Sequence, residues 1–131
     1  MSIYLAIDYG QVHLGLAYAD HTLATPLPAL KQSPQLFAEL RAVLTQYHIT
    51  HLIIGLPSGR LVPEINAFAA RLRAETGLPV TLFDETLSTQ EALSQLRASG
   101  ASRRKRQHEH SYSAALILED YLESATLNPS N

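Results

Sequence analysis

The sequence predicts a single mixed α/β domain: five strands in one sheet with an antiparallel side, flanked by helices. Three observations carry this. Two short, β-branched and aromatic segments near the start are separated by a glycine turn. Two later apolar segments alternate with stretches of helical periodicity, the signature of parallel strands joined by crossover helices. The 131 residues are 46% hydrophobic, which suffices for one core without metal or disulfide staples.

The elements follow in order. "IYLAID" (3–8) reads as a buried strand ending in Asp8, and "YGQ" as a turn. "VHLGLAYA" (12–19) alternates, with Val12, Leu14, Leu16 and Tyr18 on one side, and reads as a strand paired back on the first. A third strand is expected within 22–30, where two prolines indicate a sheet edge. Ser33 and Pro34 read as N-cap and first residue of a helix burying Leu36, Phe37, Leu40, Val43 and Leu44. "HLIIGLP" (51–57) is a strand. A helix from about Pro63 buries Ile65, Phe68, Ala69 and Leu72 and stops before Gly77. "LPVTLF" (78–83) is the last strand and delivers Asp84 and Glu85 at its end. Ser88 and Glu91 match a capping box ahead of "ALSQL". The final helix runs from about His108 to Glu123 and buries Ala114, Leu118, Tyr121 and Leu122. One domain over 1–124 is expected, with a frayed tail over 125–131.

Composition narrows the function. The absence of cysteine excludes a disulfide scaffold, a thiolate metal site and thiol chemistry, and suits a reducing cytosol. The N-terminus has no basic stretch ahead of a long apolar core, and no apolar run nears the roughly 20 residues that span a bilayer. A cytoplasmic protein without a membrane partner is expected. Net charge is −2, which excludes a generally basic nucleic-acid coat. Yet Arg103, Arg104, Lys105 and Arg106 hold four of the ten basic residues. Such a run reads either as a solvated loop or as a phosphate-contacting one.

Acidic groups gather at strand ends. If the strands ending at Asp8 and at Asp84–Glu85 are neighbours, their carboxyl ends meet where open α/β sheets bind ligands. Clustered carboxylates repel, and a hard divalent cation is the usual resolution; carboxylates plus a substrate phosphate is the Mg²⁺ pattern. Each acid alone reads equally well as a site group or as a structural one that caps a helix or faces water. Gly10 serves either a tight hairpin or the approach of backbone N–H groups to a phosphate; the turn matches neither a Walker A loop nor GxGxxG. His110 shares the stripe of Ala114 and Leu118 and reads either as a core histidine or as a site imidazole. His13, His21, His48 and His51 lack partners at metal-site spacing and read as surface or turn residues.

From about Ile3 to Glu123 the chain resembles the YqgF family of Holliday-junction-resolvase-like proteins, also described as pre-16S rRNA nucleases. The resemblance lies in "AIDYGQVHLGLAYAD" (6–20), "PL" (26–27), "IIGLP" (53–57), "DETLST" (84–89) and "SAALILEDYL" (113–122), in that order and spacing. It implies a ribonuclease-H-like fold with a metal-dependent phosphodiesterase site. The family's first acid falls on Asp8, its central acidic pair on Asp84 and Glu85, and its last acid on His110. Other departures are Val12 and His13 in place of a basic pair, Thr86 in place of an arginine, and a shortened loop, "SGRLVPE", after "GLP".

The resemblance implies metal-assisted hydrolysis of a phosphodiester. Asp8, Glu85 and His110 would hold Mn²⁺ or Mg²⁺, with Asp8 bridging two cations about 4 Å apart. Asp84 and Gly10 would support them, and Arg103–Arg106 would position the backbone of the substrate. That substrate is structured RNA, processed at the 5′ end of precursor 16S rRNA, or branched DNA. A protein that keeps the fold and has lost catalysis is the alternative favoured by Thr86 and His110. The glycine turn also resembles the phosphate loop of actin-like kinases and chaperones, but these need two such lobes and this chain has room for one. A monomer is the default; resolving a symmetric junction would take a dimer.

Overall fold

A computed structural model describes residues 1–21, 23–56, 61–84 and 109–127, with 109, 110, 126 and 127 described by their backbone alone. Five strands, β1 (Tyr4–Asp8), β2 (His13–Ala19), β3 (Thr25–Lys31), β4 (His51–Leu56) and β5 (Val80–Asp84), form one sheet in the order β3-β2-β1-β4-β5. β1 pairs antiparallel with β2 and β2 with β3, whereas β4 runs parallel to both β1 and β5. This is the expected mixed sheet, with the proline-bearing β3 at an edge.

The two faces of the sheet carry side chains of different size. Leu5, Ile7, Leu14, Leu16, Leu52 and Ile54 form the larger core with α1 (Leu36–Gln46) and α2 (Val62–Thr76). Ala6, Ala17, Ala19 and Ile53 face the last helix, α3 (Glu109–Leu127), which adds Ala114, Ala115, Ile117, Leu118 and Leu122. Strand alternation produces this split, since successive side chains point to opposite faces. β1 is thus buried on both sides, and Leu5, Ala6 and Ile7 expose no surface.

Local chemistry accounts for most element ends. Gly77 closes α2 in the left-handed conformation, φ 70°, and its N–H donates to the Arg73 carbonyl at 2.9 Å. α1 departs from expectation. It begins at Leu36, because Ser33 and Pro34 form a preceding turn in which Ser33 Oγ accepts the Gln35 N–H at 3.2 Å. Val12 also lies outside β2 and is 61% exposed. His51 is a half-buried strand residue rather than a surface one, with Nδ1 2.7 Å from Thr50 Oγ1 and its ring 5.1 Å from that of Tyr4. α3 runs to Leu127, four residues beyond the expected Glu123. The Ser88–Glu91 capping box lies outside the described residues. Among the described residues no helix is long and apolar enough to cross a membrane.

The small residues beneath α3 give a direct test. Ala17→Leu adds three carbons where Ala17 is fully buried between sheet and helix. We expect a loss of about 1–3 kcal/mol in urea unfolding, with an unchanged m-value.

Candidate active site

Asp8 ends β1 at the carboxyl edge of the sheet, half-buried, on the pleat face of Tyr4 and Ala6 that α3 covers. Its cross-strand partner on β2 is Gly15. One residue further along β2, the Leu16 N–H donates 3.3 Å to Ser111 Oγ in the first turn of α3. This bond falls where a register shift between Leu14 and Leu16 interrupts the β2–β3 ladder, so the serine supplies an acceptor at a break in the sheet. Ser111 and Ser113 are both buried. A second tie, from the Ala24 N–H to Glu119 Oε2 at 3.0 Å, fixes the middle of the helix against the start of β3. The start of α3 is thereby held over the end of β1.

His110 is the second residue of α3, directly before Ser111 and one turn ahead of the fully buried Ala114. The start of α3, which carries residue 110, thus lies at the same sheet edge and on the same face as the end of β1. The acidic pair behaves differently. β1 and β5 are not neighbours, because β4 lies between them, so their ends stand two strand spacings apart, about 10 Å. Asp84 pairs with Leu56 and shares the alternation of Val80 and Leu82, which places it, exposed, on the α1–α2 face opposite Asp8. Glu85, Thr86 and Arg103–Arg106 lie outside the described residues. Among the described residues no three acids or histidines stand close enough together to hold a metal ion.

Gly10 is buried without a left-handed φ, and its carbonyl accepts Gln32 Nε2 at 2.9 Å. Its role is to anchor the turn to β3's exit. Tyr9, beside Asp8 in sequence, turns to the other face, and its hydroxyl donates to Glu64 Oε2 at 2.6 Å. Nothing in the local pattern announces this pair, separated by 55 positions. The ring packs 5.1 Å from Phe68. Burial first, and the neighbouring Glu64 carboxylate second, push the Tyr9 phenol up to about 12. Ser111 is equally silent in the sequence; a polar residue inside an otherwise apolar helical stripe is the one signal that points to it.

Comparison with known proteins decides the family. Residues 2–124 match the RuvX family, described as Holliday junction resolvase. The chain belongs to the RuvX family. Relatives from Desulfitobacterium hafniense and an Anaeromyxobacter species, each named "Putative pre-16S rRNA nuclease", are both 37% identical. The first alignment covers 91% of this chain and 90% of the relative, the second 92% and 96%. Among solved structures, Thermus thermophilus RuvC in complex with a Holliday junction substrate superposes with a TM-score of 0.63 at 18% identity, over 96% of both chains. That likeness concerns the fold, which is ribonuclease-H-like as the sequence resemblance implies. RuvX membership makes this chain a nuclease, a hydrolase of phosphodiester bonds in nucleic acid. Nucleases of this fold work with divalent cations.

Tyr9 offers a spectroscopic check. In an absorbance titration one of the six tyrosines should stay protonated until about pH 12, and Tyr9→Phe should delete that late step. The folded-state value lies above the unfolded value of about 10. The associated stabilisation is therefore complete below pH 10 and is lost as the pH rises toward 12; Y9F should flatten that decline.

Proposed function

We propose that this RuvX protein is a metal-dependent nuclease of the cytoplasm that trims structured RNA at the 5′ end of the 16S rRNA precursor. The observation that carries the reading is the anchoring of α3 over Asp8 through Ser111 and Leu16, which gathers a strand-end carboxylate and the start of a helix at one sheet edge. The names of the close relatives point to RNA, and the family description points to branched DNA. RNA is favoured here because cutting a symmetric junction requires two copies, whereas a single chain suffices on a precursor end.

Asp8, Glu85 and His110 would hold the cation. Glu85 is assigned in preference to Asp84 because Asp84 stands on the other face of β5. When bound, the ion supplies an ionised water as nucleophile and charge stabilisation at the leaving oxygen. The donor set, two carboxylates and an imidazole, suits Mn²⁺ better than Mg²⁺. On this reading Asp8 would supply its carboxylate from the end of β1, and the α3 anchor would hold the backbone that carries the third donor. Arg103–Arg106 would hold the phosphate backbone, giving affinity without sequence choice. Arg103 to Arg106 carry the local positive charge that the replaced residues at Val12, His13 and Thr86 do not.

Asp8→Asn separates an active nuclease from a scaffold of the same fold. We expect cleavage of a precursor RNA in Mn²⁺ to fall by at least ~10³-fold while affinity for that RNA stays or rises. Wild-type protein that cuts nothing with either cation, or D8N protein that cuts like its parent, would sink the metal mechanism.

A second variant addresses the histidine. A protonated imidazole cannot ligate, so cleavage by the natural chain should fade below the imidazole's ionisation range. His110→Asp should extend activity to lower pH and raise the rate in Mg²⁺ relative to Mn²⁺.

A further inference from the structure

On the sheet face opposite Asp8, the start of α1 and the first two-thirds of α2 enclose an open cleft of about 360 Å³ beside Tyr9. Topology puts it at the same edge as Asp8. β3 and β4 run in the direction of β1, so the helices that follow them both begin at the carboxyl edge of the sheet. Consecutive residues at the end of β1 then serve opposite faces, Asp8 under α3 and Tyr9 in the cleft.

One wall of the cleft is a flat, pinned cation. The Arg71 guanidinium lies 4.0 Å over the centroid of the Phe37 ring, and its Nε donates to Glu75 Oε2 at 2.7 Å. Arg41 braces the same carboxylate at 2.9 Å, and hydrogen bonds from Arg71 and then Arg41 hold Glu75 below the usual carboxylate range. Arg71 nonetheless keeps 64% of its side chain exposed. A guanidinium plane seated on an aromatic ring is a stacking platform for a nucleobase.

Acceptors come from Glu64, two turns before Arg71 on the same stripe of α2, and from Gln32 at the start of the segment leading into α1. Tyr9 occupies Glu64 Oε2, and among the described residues no other group bonds this exposed carboxylate, so Oε1 keeps its lone pairs for a ligand. The Gln32 amide nitrogen is engaged by the Gly10 carbonyl at 2.9 Å and lies next to the Tyr9 hydroxyl, which leaves its carbonyl oxygen. Such a set of acceptors selects a ligand edge made of donors. Guanine presents two adjacent donors, its ring N–H and its 2-amino group. Adenine and cytosine bring a ring acceptor against these acceptors, and uracil brings one donor between two carbonyls.

The geometry points to a guanine subsite: an unpaired guanine next to the scissile phosphate crosses the sheet edge, stacks on Arg71 and donates its Watson–Crick edge to Glu64. That the guanine belongs to a substrate strand rests on the nuclease reading of Asp8. The pocket itself can be probed with a mononucleotide.

The test titrates the isotope-labelled full chain with GMP, AMP and CMP and follows the Gln32 side-chain amide and Arg71 Nε–H resonances. GMP should shift both saturably and bind at least about tenfold tighter than AMP or CMP, as expected for paired donors on a carboxylate. Inosine monophosphate, without the 2-amino group, should fall between. Glu64→Gln should erase the preference while keeping an acceptor for the Tyr9 hydroxyl. Equal affinity for GMP and AMP, or no shift at these side chains with millimolar GMP, overturns the subsite. Cleavage that needs Asp8 but ignores guanine overturns it and leaves the nuclease reading intact. GMP selectivity in a chain that cuts nothing supports the pocket and fails the nuclease reading instead.

Discussion

The arrangement at the carboxyl edge depends on how closely α3 can approach the sheet. On that face the strands contribute Ala6, Gly15, Ala17 and Ala19, and the helix answers with Ala114 and Ala115. Small side chains let the helix backbone lie near the strand backbone, while Ile53, Ile117 and Leu118 fill the remaining space. The opposite face is built from leucine, isoleucine and phenylalanine and holds α1 and α2 over a thicker layer. A serine hydroxyl in α3 reaches a strand N–H only because the first interface is thin. The core therefore sets the geometry of the site; the site is not a loop feature laid over an indifferent scaffold.

Much of this was legible in the residues. The five strands, the helix over Pro63–Thr76 and its stop at Gly77 are local matters of periodicity and backbone chemistry. Strand order is not local. Nothing in "IIGLP" says that β4 sits between β1 and β5, and this insertion is why the two acidic strand ends stand apart. Pairs distant in sequence were silent for the same reason: Tyr9 with Glu64, Leu16 with Ser111, Ala24 with Glu119. The start of α1 shows a different limit. Ser33 and Pro34 have the chemistry of a helix start, but that chemistry also makes a turn, and the helix begins after it.

Strand alternation gives one sheet edge two chemistries. Asp8 lies on the α3 face and Tyr9 on the face of α1 and α2, so a strand-end carboxylate and a cleft of mixed polarity lie back to back across a single peptide bond. The Tyr9–Glu64 hydrogen bond ties the end of β1 to α2. A displacement of α2 would thus be felt at Asp8 through the backbone it shares with Tyr9. On the proposed reading, contact with a base on one face and contact with a phosphate on the other are mechanically linked.

The histidine at position 110 gains its meaning from the same anchoring. Ser111 fixes the neighbouring backbone through Leu16, and Ala114 fixes the next turn, so the place of residue 110 is set by groups other than its own side chain. On the proposed reading, a change from carboxylate to imidazole at such a position would alter the donor without moving the scaffold that presents it. What changes is charge and softness: an imidazole brings no negative charge, binds only when neutral and prefers softer ions than Mg²⁺. On the proposed ligand set, the absence of one negative charge would also lessen the repulsion that a third carboxylate adds. Fold and family membership therefore survive the substitution, and its consequences fall on the choice of metal and the pH at which the proposed site works.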